Sequence, residues 1–493
     1  MKICYEIRFC VTVLFCGIVG LVEADIPLTH NFQKEQIFVQ GNWYNKDGSN
    51  GRPVITPQDT FQQCMHHNNA SGCETTWGQV FPKPELGGYR RYWTNTNYYQ
   101  PGRPIFIELA GEWDAAGSVD GGYWHNYARQ YNAMLIVLKH RFYGGSFPIR
   151  NPTNADLWLM TSQLALADAA RFIEVFTANN NLNGTSWVAF GCSYGGNLAA
   201  WFKLKYPNHV KTAVSSSAPV EALYDYPGYM QTVSDVVEVV DAPCYTQLYD
   251  TFSCMEALYN GSQPTCGTYN SPDDLLAPLQ WCNSVDWNGL SREILFLSLA
   301  MNVWAANAPS GPVRRACDTL SSINGANNVE KYGNFMLAMG QDGGCRHHGE
   351  KAGADREWLK SEEAWQAGAA GWRWQTCNEF GYFMSSDPIH GLYGRRTWSG
   401  DGFTRAYVEG RIAETNAYYG GKNLDSKCVI YVHGTWDPWH TLGVTTPKAD
   451  NTVIIVPGTE HCADIGNPTS PEMVAAQAQI LAQIGSYLND PIC

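Results

Sequence analysis

Charge is scarce in this chain, and basic charge most of all. Only 16% of its 493 residues are charged, and 33 Lys and Arg stand against 46 Asp and Glu, a net charge of −13. No basic stripe appears, which excludes the electrostatic footprint of a nucleic-acid binder. After Ala24 no apolar run approaches the roughly 20 residues of a membrane helix. No dinucleotide or P-loop fingerprint is present, and no helix-borne zinc motif, so neither metal nor other cofactor is expected. His66-His67, and Cys345 with His347-His348-Gly349-Glu350, lack metal-site spacing and read as loop. Internal repeats and low-complexity segments are also missing. What remains, 44% apolar with 18 Trp and 27 Tyr, is the composition of a folded enzyme. An acidic surface of this kind suits solubility in an acidic lumen.

The start of the chain reads as a secretory signal. Met1 to Phe9 is mildly basic, Cys10 to Val22 is apolar, and Val22-Glu23-Ala24 offers a cleavage site, so residues 1–24 are set apart from the fold. Three of the 16 cysteines, Cys4, Cys10 and Cys16, fall in that leader. An exported chain with so many others should form disulfides, and the odd remainder leaves a thiol over. Cys64 with Cys73 could close a small loop, and Cys244, Cys254, Cys266 and Cys282 could staple one region. Sequons at Asn69, Asn183 and Asn260 fit the same route, to a secreted or lysosomal destination.

Short apolar runs punctuate the chain. Gln36–Gln40, Tyr89–Thr94, Pro104–Leu109, Met134–Leu138, Trp187–Phe190, Thr212–Ser217, Cys428–His433 and Thr452–Val456 read as strands. Thr161–Ala178 and Asn197–Tyr206 read as helices, and Ser470-Pro471-Glu472 opens a last one. Strands buried on both faces and alternating with helices imply an α/β fold with a mostly parallel sheet. Between Pro219 and Lys427 the beat is lost. That region, with runs such as Ile294–Trp304, reads as a largely helical cap inserted into a core formed by 25–218 and 428–493, although its last part could rejoin the core.

Trp187 to Gly196 organises the rest. An apolar strand, then Gly191-x-Ser193-x-Gly195, then a helix is the context of a nucleophile elbow. Such a turn lifts the Ser193 hydroxyl above the sheet and aims the Tyr194 N–H at a developing oxyanion. A serine needs a base, and the base an orienting carboxylate. In this architecture they follow in the order Ser, Asp, His. Asp437 follows one buried strand and His461 the next. Asp425, Asp450 and Asp464 follow no buried strand directly, and His440 lies too near Asp437. The second oxyanion donor is expected in the loop Ala110-Gly111-Glu112, at Gly111. The elbow alone also fits an esterase or lipase of the same fold, or a secreted binding protein built on a dead hydrolase. Intact triad candidates weigh against the last.

Taken together, Gly191-x-Ser193-Tyr194-Gly195-Gly196-x-Leu198, Lys205-Tyr206-Pro207 and Ser217-Ala218-Pro219 resemble the prolyl carboxypeptidase family of serine peptidases. So do His140-Arg141-Phe142-Tyr143-Gly144, Gln163-x-x-Leu166-Ala167-Asp168, Trp372-x-Trp374-Gln375-x-Cys377-x-Glu379, Asp437-Pro438-Trp439 and His461-x-x-Asp464. The family includes Pro-Xaa carboxypeptidase, dipeptidyl peptidase II and thymus-specific serine protease. Thr376-Cys377-x-Glu379-Phe380-Gly381 and His461-Cys462 are most similar to the last branch. The resemblance implies an α/β-hydrolase with a helical cap between Ser193 and Asp437. It also implies a peptidase acting near chain ends, typically after proline, on peptide substrates and in lysosome-like or secreted compartments. A homodimer is left open.

Substrate-pocket roles carry over residue by residue. Trp439 stands where the family places an aromatic wall for the proline ring, and Phe380 where an apolar residue is expected. Asn197 falls where the proline-cleaving members carry Met, an amide in place of an apolar wall, which counts against strict proline preference. Apart from the resemblance, Glu112, Glu379 or Asp464 could read a substrate amine and Arg141 a terminal carboxylate, and the sequence does not choose between these; Glu379 is the carboxylate assigned to substrate binding. Cys192 replaces a commoner Gly. Because Cys192 and Cys462 each flank a triad candidate, they are expected to pair.

Overall fold

Seven of the apolar runs become strands of one sheet, and an eighth, Gln36–Gln40, a strand of a separate pair, in a computed structural model. It describes residues 92–113, 115–144, 146, 157–259, 269–279, 313–338, 368–385 and 403–493, with short strand segments before them. Those segments are two antiparallel pairs, β1 (Gln36–Val39) with β2 (Asn42–Asn45), and β3 (Gln63–Cys64) with β4 (Thr76–Trp77). Then come β5 (Tyr92–Asn95), β6 (Ile105–Leu109), α1 (Trp124–Tyr131), β7 (Met134–Leu138), α2 (Ser162–Asn179), β8 (Trp187–Cys192), α3 (Tyr194–Lys205) and β9 (Thr212–Ser216). Next are β10 (Leu223–Tyr226), α4 (Pro227–Val240), α5 (Ala242–Tyr259), α6 (Arg314–Ser322), α7 (Asn328–Ala338), α8 (Ala369–Gln375), β11 (Gly381–Met384) and α9 (Arg405–Tyr419). The chain closes with β12 (Val429–Gly434), β13 (Thr452–Val456) and α10 (Pro471–Asn489).

The sheet runs β13-β12-β9-β8-β6-β7-β5. All neighbours are parallel except β5, which is antiparallel to β7. Each central strand alternates its side chains between two apolar layers, as a period of two requires. Ile105, Ile107, Met134, Ile136, Trp187 and Ala189 pack with α2 and α3 on one face. Phe106, Leu135, Val137, Val188 and Phe190 pack with α1 and α10 on the other. With both faces covered, the sheet is a doubly wound α/β core, an α/β-hydrolase arrangement with an elbow after a central strand. The helix starts follow their sequence signals. Thr161 caps α2 by accepting from Leu164 N (3.2 Å), and Ser470 caps α10 by accepting from Met473 N (3.2 Å) with Pro471 in the first turn. No helix among the described residues is long and apolar enough to cross a membrane.

Among the described residues, the region between β9 and β12 contributes helices α4 to α9 and also a parallel pair, β10 with β11, that sequence reading did not anticipate. Four-residue strands carry too little periodicity to stand out between helices. Cys244, one of four cysteines that could staple one region, joins α5 to Cys317 on α6, a pairing that spacing does not reveal, and Cys428 joins Cys493. Residues 1–24, the sequons at Asn69 and Asn260, the Cys64–Cys73 loop, Cys266, Cys282, Ile294–Trp304 and both histidine clusters lie wholly or partly outside the described residues. Asn183 sits on an exposed turn after α2.

Beneath the sheet's upper rim lies a buried ion pair. Arg141 meets Asp168 through two hydrogen bonds, 2.8 and 2.6 Å, with both side chains fully enclosed. Arg141 also donates to the Leu159 carbonyl (3.1 Å). Such a pair is retained because losing one member strands a charge. Arg141→Ala should therefore destabilise the fold by about 3–5 kcal/mol, read from denaturant unfolding.

Candidate active site

The sharpest backbone feature is at Ser193. It has φ 57° and ψ −128°, a strained conformation between β8 and the first turn of α3. Its N–H donates to the Ser216 carbonyl (2.9 Å), which anchors the turn to the neighbouring strand. A Cβ on Gly191 would lie 2.0 Å from the Gly195 carbonyl oxygen, and one on Gly195 would lie 2.6 Å from that of Leu109. The turn closes only because both are glycine. Gly191→Ala should lower stability by at least about 3 kcal/mol, visible as loss of soluble protein or a collapsed melting temperature. The first N–H groups of α3, Tyr194 among them, have no intrahelical acceptor and sit at the positive end of the helix. Gly111 packs directly on that turn, its position for a Cβ lying 3.0 Å from Gly195 N.

Asp437 and His461 come from adjacent loops that are laced together. Thr435 N donates to Val456 O (3.1 Å) and Trp436 N to Thr459 O (3.0 Å). His461 Nδ1 and Asp437 Oδ1 lie 2.9 Å apart, and the aspartate is fully buried. The same Oδ1 accepts from Trp439 N (2.9 Å). Burial pushes the Asp437 carboxyl up, but the His461 charge, the His461 hydrogen bond and the Trp439 N–H outweigh it and hold it below the usual range. With Nδ1 committed to Asp437, His461 presents Nε2, which has no hydrogen-bond partner.

The residues flanking Ser193 and His461 are joined covalently. Cys192 and Cys462, the residues beside them, form a disulfide across 270 positions of sequence, Cα to Cα 5.9 Å. Ligand atoms of Cys192, His461 and Cys462 all lie within 4.8 Å of one another, but sulfurs bonded to each other are not thiolate ligands. The hydroxyl of Ser217 accepts from Cys462 N (2.8 Å), and that of Ser216 donates to Asp464 (2.5 Å). The Ser216–Ser217 corner therefore touches both the elbow and the histidine loop. Ser217 has φ 49°, which sequence does not announce.

A buried polar network holds the elbow from below. The Tyr194 hydroxyl meets His140 Nε2 (2.9 Å) and accepts from Gln375 Nε2 (3.0 Å). Gln375 also donates to Glu379 (2.7 Å) and accepts from Tyr143 (2.5 Å). Both Glu379 oxygens accept from Ser162 N (3.0 Å each), and one also accepts from the Ser162 hydroxyl (2.7 Å). Glu379, assigned above to substrate binding, thus has its acceptors filled by the protein itself.

Aromatic rings line the space beside His461. Trp439 lies 6.4 Å from the His461 ring and packs on Tyr226, Tyr229 and Tyr382. Phe380, fully buried, packs against Tyr194, Trp201, Trp372 and Tyr382. The Asn197 amide donates to Pro219 O (3.0 Å) and Tyr382 Oη (3.3 Å), while its Oδ1 is unpartnered. Tyr382 was missed from sequence. Its left-handed φ of 61° after Gly381 turns the ring toward Trp439, and no short motif signals that.

Residues 89–480 match the family model described as serine carboxypeptidase S28. The chain belongs to this family of serine peptidases. Among curated relatives, mouse thymus-specific serine protease is 28% identical over 452 residues, 81% of this chain and 84% of that one. Human lysosomal Pro-X carboxypeptidase is 26% identical over 365 residues, 68% of this chain and 70% of that one. Among solved structures, a proline iminopeptidase of Mycobacterium smegmatis aligns over 80% of this chain and 97% of its own, at 14% identity and TM-score 0.32. The fold assignment stands on the strand order and the elbow, not on that overlap.

In this S28 peptidase, acidic groups crowd the site. Burial pushes Glu112 and Glu379 up to about 7 and Asp464 up to about 6. Each binds its proton more tightly folded than unfolded, so each stabilises the fold below its ordinary pKa near 4 and loses that contribution as pH rises through about 6–7. Asp437 works in the opposite sense, and only at more acidic pH. Thermal melts should give a higher midpoint near pH 5 than near pH 8. A midpoint that rises from pH 5 to 8 would contradict this.

Proposed function

We propose that this peptidase hydrolyses peptides near a chain end through an acyl-enzyme on Ser193. His461 Nε2 takes the Ser193 proton as the hydroxyl attacks the scissile carbonyl. Asp437 fixes the imidazole tautomer and stabilises the imidazolium. The Tyr194 N–H, with a second donor from the Gly111 loop, receives the oxyanion. His461 then gives its proton to the leaving amine, and water repeats the sequence to release the acyl group. The observation that carries this reading is the directed imidazole: Nδ1 held at 2.9 Å by a buried carboxylate, and Nε2 left open one residue from a disulfide to the elbow.

The side chain accepted before the cut packs among Trp439, Phe380 and Tyr382, with Asn197 at the edge. Proline fits such an aromatic box. The Asn197 amide is turned toward the Pro219 carbonyl, which leaves aromatic rings to form the wall. The polypeptide is read as exported, to a lysosome-like or extracellular compartment, with Asn183 exposed for glycosylation and the cap over the sheet edge restricting entry to chain termini.

The test is a defined peptide library digested by purified enzyme at acidic and neutral pH and read by mass spectrometry, alongside fluorophosphonate labelling. Labelling at Ser193 with trimming of peptide ends is the expected result. Cleavage only of internal bonds, or only of simple acyl esters, would refute the reading.

A further inference from the structure

An enzyme that trims chain ends must recognise a charged terminus. That requires an opposite charge near the site, shielded from water, and not already used by the protein. Arg141, which would suit a carboxylate, is engaged by Asp168 and Leu159. Glu379 is saturated by Ser162 and Gln375. Asp464 receives the Ser216 hydroxyl. Glu112 differs from all three. It is only 5% exposed, yet its Oε2 has no hydrogen-bond partner.

Its place in the fold is equally specific. Glu112 follows Gly111, the residue packed against the first turn of α3. Its own carbonyl is wedged by Gly368, where a Cβ would come within 2.1 Å of the oxygen, so the loop has little freedom to withdraw. Its carboxyl feels the charge of His461, and it acts in turn on Tyr194. The carboxyl takes a hydrogen bond from its own backbone N–H, but Oε2, a buried acceptor beside the nucleophile turn with no donor, is a vacancy for a cationic donor. An ammonium group supplies the N–H and a positive charge at once, and that charge favours the ionised carboxylate that burial alone disfavours.

We propose that Glu112 binds the free α-ammonium group of the substrate, so that the enzyme trims peptides from the amino end. This rests on the exopeptidase reading above. The class of ligand is a peptide with an unblocked N-terminus; the aromatic pocket beside His461 takes the side chain before the cut.

The experiment compares three versions of one peptide that the enzyme cuts: unmodified, N-acetylated and C-amidated. N-acetylation should lower kcat/KM by about 10- to 100-fold, the value of a hydrogen bond to a charged partner, and C-amidation should leave it unchanged. Glu112→Gln should lower kcat/KM on the unmodified peptide by a similar factor, mainly through KM. Its effect on the slow cleavage of the acetylated peptide and on the rate of fluorophosphonate labelling should be several-fold smaller than its effect on the unmodified peptide. Glu112→Asp should recover part of the loss. If C-amidation and not N-acetylation blocks cleavage, the inference is wrong while the exopeptidase reading stands. Equal loss by Glu112→Gln on both peptides and on labelling would also overturn it, by showing a structural role. The acetylation comparison needs no variant, so it decides even where Glu112→Gln does not fold. Ser193 that labels in an enzyme that trims no peptide would overturn the exopeptidase reading and this inference together.

Discussion

Alanine in place of His461 should lower kcat by on the order of 10⁴–10⁶-fold and leave the fold in place. The imidazole bridges two loops through a single hydrogen bond to Asp437, and its other nitrogen has no structural partner to lose. Its removal costs the proton acceptor for Ser193 and little packing. Ser193→Ala should cost as much. The double variant should be little worse than either single one, because the groups act as one unit. Asp437→Asn should retain the shape of the site but favour the wrong tautomer, with a loss near 10⁴-fold. Steady-state peptide hydrolysis and burst amplitudes check all four variants, with thermal melts as the control for folding. Activity within tenfold of the parent for His461→Ala would mean that another group takes the proton.

Loss of the Cys192–Cys462 disulfide should have the second largest effect, on stability and rate together. The bond closes a loop spanning 270 positions, and chain-entropy arguments put such a link at about 5–6 kcal/mol. It also fixes two residues that each stand next to a reacting side chain. Displacement by about 1 Å at a reacting centre can cost on the order of 100-fold in rate. The Cys192→Ser, Cys462→Ser double variant should therefore melt lower and turn over at least tenfold more slowly. Titration with a small dithiol should give the same loss of rate in step with alkylation of both cysteines, followed by mass spectrometry. Full activity in the doubly alkylated enzyme would show that the rest of the fold aligns the site unaided.

The elements of the core were legible because their signals are local. Five apolar residues at β7, or Ser470-Pro471-Glu472 at the start of α10, say what they are within one short window. The elbow declared itself through spacing and context, and the disulfide through two cysteines each beside a triad candidate. What escaped depends on backbone shape or distant packing. The positive φ values at Ser217 and Tyr382 redirect side chains that look ordinary in sequence. The β10–β11 pair joins segments far apart in the chain. Glu379 reads in sequence as a site carboxylate, yet Ser162, 217 positions earlier, saturates it. Glu112 and Glu379 look alike as acids near motifs, and only the inventory of their hydrogen bonds separates them.

The order of the parts along the chain sets when this protein can first act. Ser193 and its turn leave the ribosome long before β12, β13 and the loops that bear Asp437 and His461, and the bond between Cys192 and Cys462 must wait for the later partner. A nascent chain that has folded only its early strands holds a serine without a base. On the acyl-transfer reading proposed above, the protease would thus be silent throughout its own synthesis, and the bond between Cys192 and Cys462 can close only after the later cysteine has emerged.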